Sequence, residues 1–110
     1  MIKVNTKPMS VNDCWKGHRY KTKHYTDYET ILKFKLPKLK IPIGKLKVTF
    51  IFGLTSCADI DNPLKPLIDI MQKRYHFDDK EIYELSVIKI PVKNGQQFFE
   101  FKIESYFDNI

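Results

Sequence analysis

The run Leu46-Lys47-Val48-Thr49-Phe50-Ile51-Phe52-Gly53 constrains the fold more than any other part of the chain. Val48, Phe50 and Phe52 alternate on one face of a β-strand with Leu46 in the same register, and Thr49 and Ile51 take the other. Apolar residues on both faces call for cover on both, from a helix or a second subunit. The exit of this strand, from Leu54 to Ala58, delivers a polar stretch, Asp59-Ile60-Asp61-Asn62-Pro63-Leu64-Lys65, followed after a helix-length interval by Asp78-Asp79.

Leu64, Leu67, Ile68 and Met71 stand at the i, i+3, i+4, i+7 positions of a helix with one apolar stripe. Asp61 or Asn62 would be its N-cap, with Pro63 in the first turn, where a missing N–H costs nothing. If residues 59 to 61 continue the strand in extended form, the period of two turns both carboxylates to one face. Lys65, four residues after Asp61, lies on their side of the helix. A return to the sheet at Asp78-Asp79 could add a third carboxylate. Acids gathered this way repel unless a cation sits among them, and a hard divalent ion such as Mg²⁺ is the natural partner. The competing reading is a capped turn before a helix, with no metal. A calcium loop is excluded, because Pro63 and Leu64 occupy positions that need a ligand and a glycine.

The other elements follow from pattern. Met1 to Val4 reads as a short strand ended by Pro8, and a helix from about Tyr28 to Leu36, capped by Thr26 or Asp27 and ended by Pro37, would bury Tyr28, Ile31, Leu32 and Leu36. From Lys38 to Lys47 lysines alternate with Leu and Ile around Pro42 and Gly44, as either a solvated edge or a surface along a duplex. Ile82 to Val92 reads as a strand that ends or lies at an edge, because of Pro91. Asn94-Gly95 signals a hairpin to Gln97–Tyr106, where Phe99, Phe101 and Ile103 alternate. The expected architecture is α+β: one domain over residues 1–110, with a mixed sheet and two helices packed on it.

Composition sets limits on partners. The net charge of +6 and a pI near 9.3 favour an anionic partner. Ser10 to Tyr25 interleaves Lys16, Arg19, Lys21 and Lys23 with Trp15, Tyr20 and Tyr25, which suits phosphates and exposed bases, or an arm anchored on the core or on a second subunit. No long apolar run and no signal-peptide core is present, so the expected location is the cytoplasm, with no membrane partner. Cys14 and Cys57 are then expected as reduced thiols, and Cys14, His18, His24 and Cys57 match no standard zinc spacing. Neither Cys14 nor Ser56 has a His and an acid at a spacing that would make it a nucleophile, and nothing calls for an organic cofactor.

The residues from Asp59 to Asp69, then Asp78-Asp79 and Glu84-Leu85, together with Pro8-Met9-Ser10-Val11-Asn12, Trp15, Arg19 and Tyr25, resemble the RusA family of Holliday junction resolvases. The resemblance implies a single RusA-like endonuclease domain, a homodimer, that cuts four-way junction DNA in recombination and repair by paired hydrolytic incisions with Mg²⁺. By position, Asp59, Asp61 and Asp79 would hold the metal and Lys65 would be the basic residue needed for cleavage. Lys65 is expected to contact DNA as well, beside Lys16, Arg19, Lys21 and Lys23 of the basic, aromatic segment. Two positions depart from the family pattern. Ala58 stands where a basic residue often precedes the first aspartate, and Tyr75-His76-Phe77 stands where the turn before the late acidic pair often has glycine. The alternative of a different class is a non-cleaving basic DNA-binding protein with the same fold, although such a protein gains nothing from acids that face phosphate.

Overall fold

The computed structural model describes residues 1–16 and 20–107, and for residues 13, 15, 16, 20 and 21 the backbone alone. The apolar run forms strand β4, Leu46–Leu54, and numbering in chain order places β1 at Ile2–Val4, β5 at Ile82–Pro91 and β6 at Phe98–Ser105. β4 pairs parallel to β5 on one side and antiparallel to β6 on the other, and β1 adds to β6, giving the order β1-β6-β4-β5. Both backbone edges of the most apolar strand are thereby satisfied within the sheet.

A parallel pair needs a crossover, which helix α2 (Leu64–Tyr75) supplies between β4 and β5. Helix α1 (Lys23–Lys35) packs beside it. Tyr25, Tyr28 and Leu32 of α1 and Leu67, Ile70 and Met71 of α2 join Phe50, Phe52, Phe99 and Phe101 in one buried cluster. The fold is α+β with a mixed sheet and two helices, as expected. A short antiparallel ribbon, β2 (Trp15–Lys16) with β3 (Tyr20–Lys21), lies in the basic and aromatic segment from Ser10 to Tyr25, where no element was expected.

Several expectations are corrected. The strands flanking Asn94-Gly95 do not pair with each other, because β4 lies between them. The tight turn is real: Gly95 has φ +92, and the Gln97 side chain ties it by accepting from the Gly95 N–H and donating to Asn94 Oδ1. It nevertheless carries the chain past the end of β4, since burying the more apolar strand in the middle outweighs the local hairpin preference. Helix α1 starts at Lys23, earlier than Tyr28, because Thr22 accepts the Tyr25 N–H at 3.2 Å. With Tyr25 added, the buried stripe becomes Tyr25, Tyr28 and Leu32, and Ile31 turns outward, 43% exposed.

Among the described residues, helices cover only one face of the sheet. On the other, Lys47, Thr49 and Ile51 lie beside Glu84, Ser86 and Ile88, and Ile88 is 52% exposed. Lys47 bridges the strands there, 3.3 Å from Glu84 and 3.9 Å from Glu104. Gly53 also faces this side, directly opposite Phe98, whose ring would stand only 2.2 Å from an added Cβ. Lys3 sits 4.4 Å above the same ring. Gly53→Ala is expected to displace Phe98 and to destabilise the protein by about 1–3 kcal/mol in urea unfolding. The double variant with Phe98→Ala should lose less than the sum of the singles, because the clash is then gone.

Candidate active site

The acidic loop is built by the end of β4. The Val92 N–H bonds the Leu54 carbonyl at 2.8 Å, and the chain then folds through successive turns: Ala58 N–H to Thr55 O at 3.0 Å, Asn62 N–H to Asp59 O at 3.3 Å and Leu64 N–H to Asp61 O at 3.2 Å. Asp59 and Asp61 thus stand on turns, not on an extension of the strand, because pairing stops at Leu54. Neither Asp61 nor Asn62 caps α2; Pro63 takes that place and makes no side-chain cap bond. The consequence is chemical. Both carboxylates are exposed and make no hydrogen bond or ion pair among the described residues, so they remain available to a ligand.

The N-terminal motif is joined to this loop by the Val11 N–H, which bonds the Asn62 carbonyl at 2.9 Å. Between them opens a cleft of about 780 Å³, lined by Asp59, Asn62 and Cys57, by Lys7 and Ser10, and by His24 of α1. Tyr28 forms part of its wall, and burial pushes its phenol well above the usual range, so it stays neutral. Lys7 and His24 were not legible as site residues: their separation in sequence from Asp59 hides a proximity that the helix and the motif create.

The second acidic pair is set by the end of α2. His76 adopts the left-handed conformation, φ 58 and ψ 46, and its N–H bonds the Gln72 carbonyl at 2.8 Å. This is the conformation a glycine would take there, so the departure from the family pattern keeps the turn and accepts backbone strain. Phe77 is then buried as an anchor, and Asp78 caps the 3₁₀ turn Asp79–Glu81. The Lys80 N–H on its carboxylate holds Asp78 below the usual range. Gln72 accepts the Asp79 N–H at 2.8 Å, leaving the Asp79 carboxylate beside that of Asp78.

Asp79 lines a second cavity, of about 430 Å³, with Lys65, Asp69, Lys80 and Glu84. Lys65 is 67% exposed and leans toward Asp69, Nζ 3.9 Å from Oδ1. Asp59 and Asp79 therefore line different cavities, and Asp61 lines neither. Among the described residues no three His, Cys, Asp or Glu groups are placed to hold a metal ion. The uncommitted carboxylate oxygens suit a hard divalent cation in kind, while the described residues of one chain do not bring enough of them together. Of the DNA-contact candidates, Lys23 and Lys65 are exposed; the side chains of Lys16 and Lys21, and all of Arg19, lie outside the described residues.

Compared with known families, the chain matches endodeoxyribonuclease RusA over residues 3–100. It belongs to the RusA family. Comparison with curated proteins found no match. RusA enzymes are Holliday junction resolvases that hydrolyse phosphodiester bonds, so this chain is an endodeoxyribonuclease of branched DNA. Nucleases of this kind generally use a divalent metal. No helix among the described residues is long and apolar enough to cross a membrane.

His76→Gly relieves the left-handed strain ahead of Asp78-Asp79 and is expected to raise the unfolding free energy by about 1 kcal/mol, read as a higher urea midpoint at unchanged slope.

Proposed function

We propose that residues 1–110 act as one Mg²⁺-dependent resolvase domain that nicks paired strands of a four-way junction in recombination and repair, as a homodimer in the cytoplasm. The observation that carries this reading is the pair of exposed carboxylates Asp59 and Asp61, unpartnered among the described residues, on a loop tied to the N-terminal motif in a chain of the RusA family. Asp59, Asp61 and Asp79 are the metal ligands. Lys65 is the catalytic cation, and Lys16, Arg19, Lys21, Lys23 and Lys65 contact the DNA backbone. The ion, when bound, supplies a water of lowered pKa and positive charge at the phosphate. The chain's own part is to bind it through Asp59 and Asp61 and to place the Lys65 ammonium against phosphate oxygens, where it stabilises charge that builds up on cleavage.

Two symmetric incisions call for two symmetric sites, which a two-fold dimer provides. Support for assembly comes from edge strand β5, where Tyr83, Leu85, Ile88 and Ile90 are all exposed, an apolar load that a lone soluble chain seldom presents on one strand. Assembly also offers a route by which acids held apart in one chain meet: Asp79 of one copy completes the site that Asp59 and Asp61 of the other begin.

Incubated with a synthetic four-way junction or a linear duplex, the protein is expected to make paired nicks in the junction alone and to stop when chelator is added. Asp59→Asn should bind the junction as before and cut at least ~100-fold more slowly. Cutting that resists chelator counts against the metal. Mixing the inactive Asp59→Asn and Asp79→Asn proteins tests the shared site: a mixed dimer keeps one intact set and should recover single nicks, and no recovery means that each chain holds its own set.

A further inference from the structure

Lys89 occupies a position that the strand pattern reserves for an apolar residue. In β5 it pairs with Phe52 of β4, in the same alternating register as Leu85 and Val87, so its stem leaves the sheet on the helix-covered side. A half-buried lysine in such a place costs free energy unless its ammonium head finds acceptors. It finds two backbone carbonyls. Nζ donates to Ser56 O at 2.9 Å and to Ala58 O. No carboxylate of the described residues lies within ion-pair distance of it.

We infer that Lys89 is a positioning residue for Asp59, tethering the turn on which that carboxylate stands. The Ala58 carbonyl belongs to the peptide whose nitrogen is that of Asp59. Because a peptide is planar, holding its oxygen restrains the whole unit and so the place from which the Asp59 Cα, and with it the side chain, starts. The second bond, to Ser56, closes the other end of the same turn, which the Ala58 N–H to Thr55 O bond already bends. The loop thus gains a tether from a different strand, and one with a charge. That charge, opposed by no acid among the described residues, also makes the ground beside the loop favourable for the anions a nuclease works on. A lysine that served packing alone would turn its head to water along the exposed edge of β5; this one turns inward to the loop.

The inference rests on the reading of Asp59 as a site residue, and the test separates the two. Lys89→Met keeps the stem and removes the donors, and Lys89→Arg keeps charge and donors. In metal-free protein, amide exchange over residues 57–62 should quicken about tenfold in Lys89→Met, as expected for loss of charged hydrogen bonds. Mn²⁺ affinity by calorimetry should fall by about tenfold, the usual effect of removing a group that orients a ligand, and single-turnover cutting should be partly restored by excess metal. Junction affinity should stay close to wild type, and Lys89→Arg should recover exchange protection, Mn²⁺ affinity and cutting. Lys89→Gln, shorter and uncharged but with an amide NH₂ donor, is expected between the two and serves if Lys89→Met does not fold. Unchanged exchange and unchanged Mn²⁺ affinity in Lys89→Met overturn the tether. Wild-type cutting by Asp59→Asn overturns the site reading instead, whatever the Lys89 variants do to the turn.

Discussion

The pairing of β4 on both edges is the interaction from which the rest of the molecule follows. Once Leu46–Leu54 is held between β5 and β6, its residues Val48, Phe50 and Phe52 form the floor of the core. The parallel partner then demands a crossover helix, and the antiparallel partner demands a connection that skirts the end of β4. Both demands meet at the same end of the sheet. There the loop from Thr55 to Pro63 leaves for α2, and the Asn94-Gly95 turn passes over, with Asn94 and Gln97 lining the cleft that holds Asp59. The site lies where it does because that is where an uninterrupted, fully paired strand must release its chain.

What happens at that release is a matter of which polar groups are already in use. Asp78 spends its carboxylate on the Lys80 N–H, and Gln72 takes the N–H of Asp79. Asp59 and Asp61 spend theirs on nothing in the described chain, since the turns beneath them are closed by backbone groups and the helix start is a proline. Lysine in this neighbourhood is divided too: Lys89 serves the loop's carbonyls, whereas Lys65 and Lys23 remain exposed toward solvent. A nuclease needs acids and cations that do not neutralise each other, and separation of roles along the backbone achieves this without burying an unpaired charge.

Much of the fold was legible because its signals are local. The alternation through Phe50 and Phe52, the i, i+3, i+4 spacing of α2, and Pro91 at the close of an edge strand each follow from the geometry of a single element. The site motifs, Asp59 to Lys65 and Pro8 to Asn12, were legible as a resemblance and are joined in space by the Val11–Asn62 bond. Harder to see were the start of α1, where Thr22 outcompetes two later capping residues, and the strand order, where a strong turn dipeptide pointed to a hairpin that does not form. A turn fixes only the reversal of the chain. It does not fix which strand fills the gap between its arms.

By itself, the sequence determined the elements, their apolar faces, the basic balance and the acidic residues on offer, because period, capping and charge depend on neighbours within a few positions. Only the tertiary structure decided that β4 is central, that Asp59 and Asp79 of one chain line different cavities, and that a lysine near the end of strand β5 grips the loop before Asp59. Each of these depends on which distant segments compete for the same backbone groups and the same buried area, and that competition is resolved only when the whole chain packs.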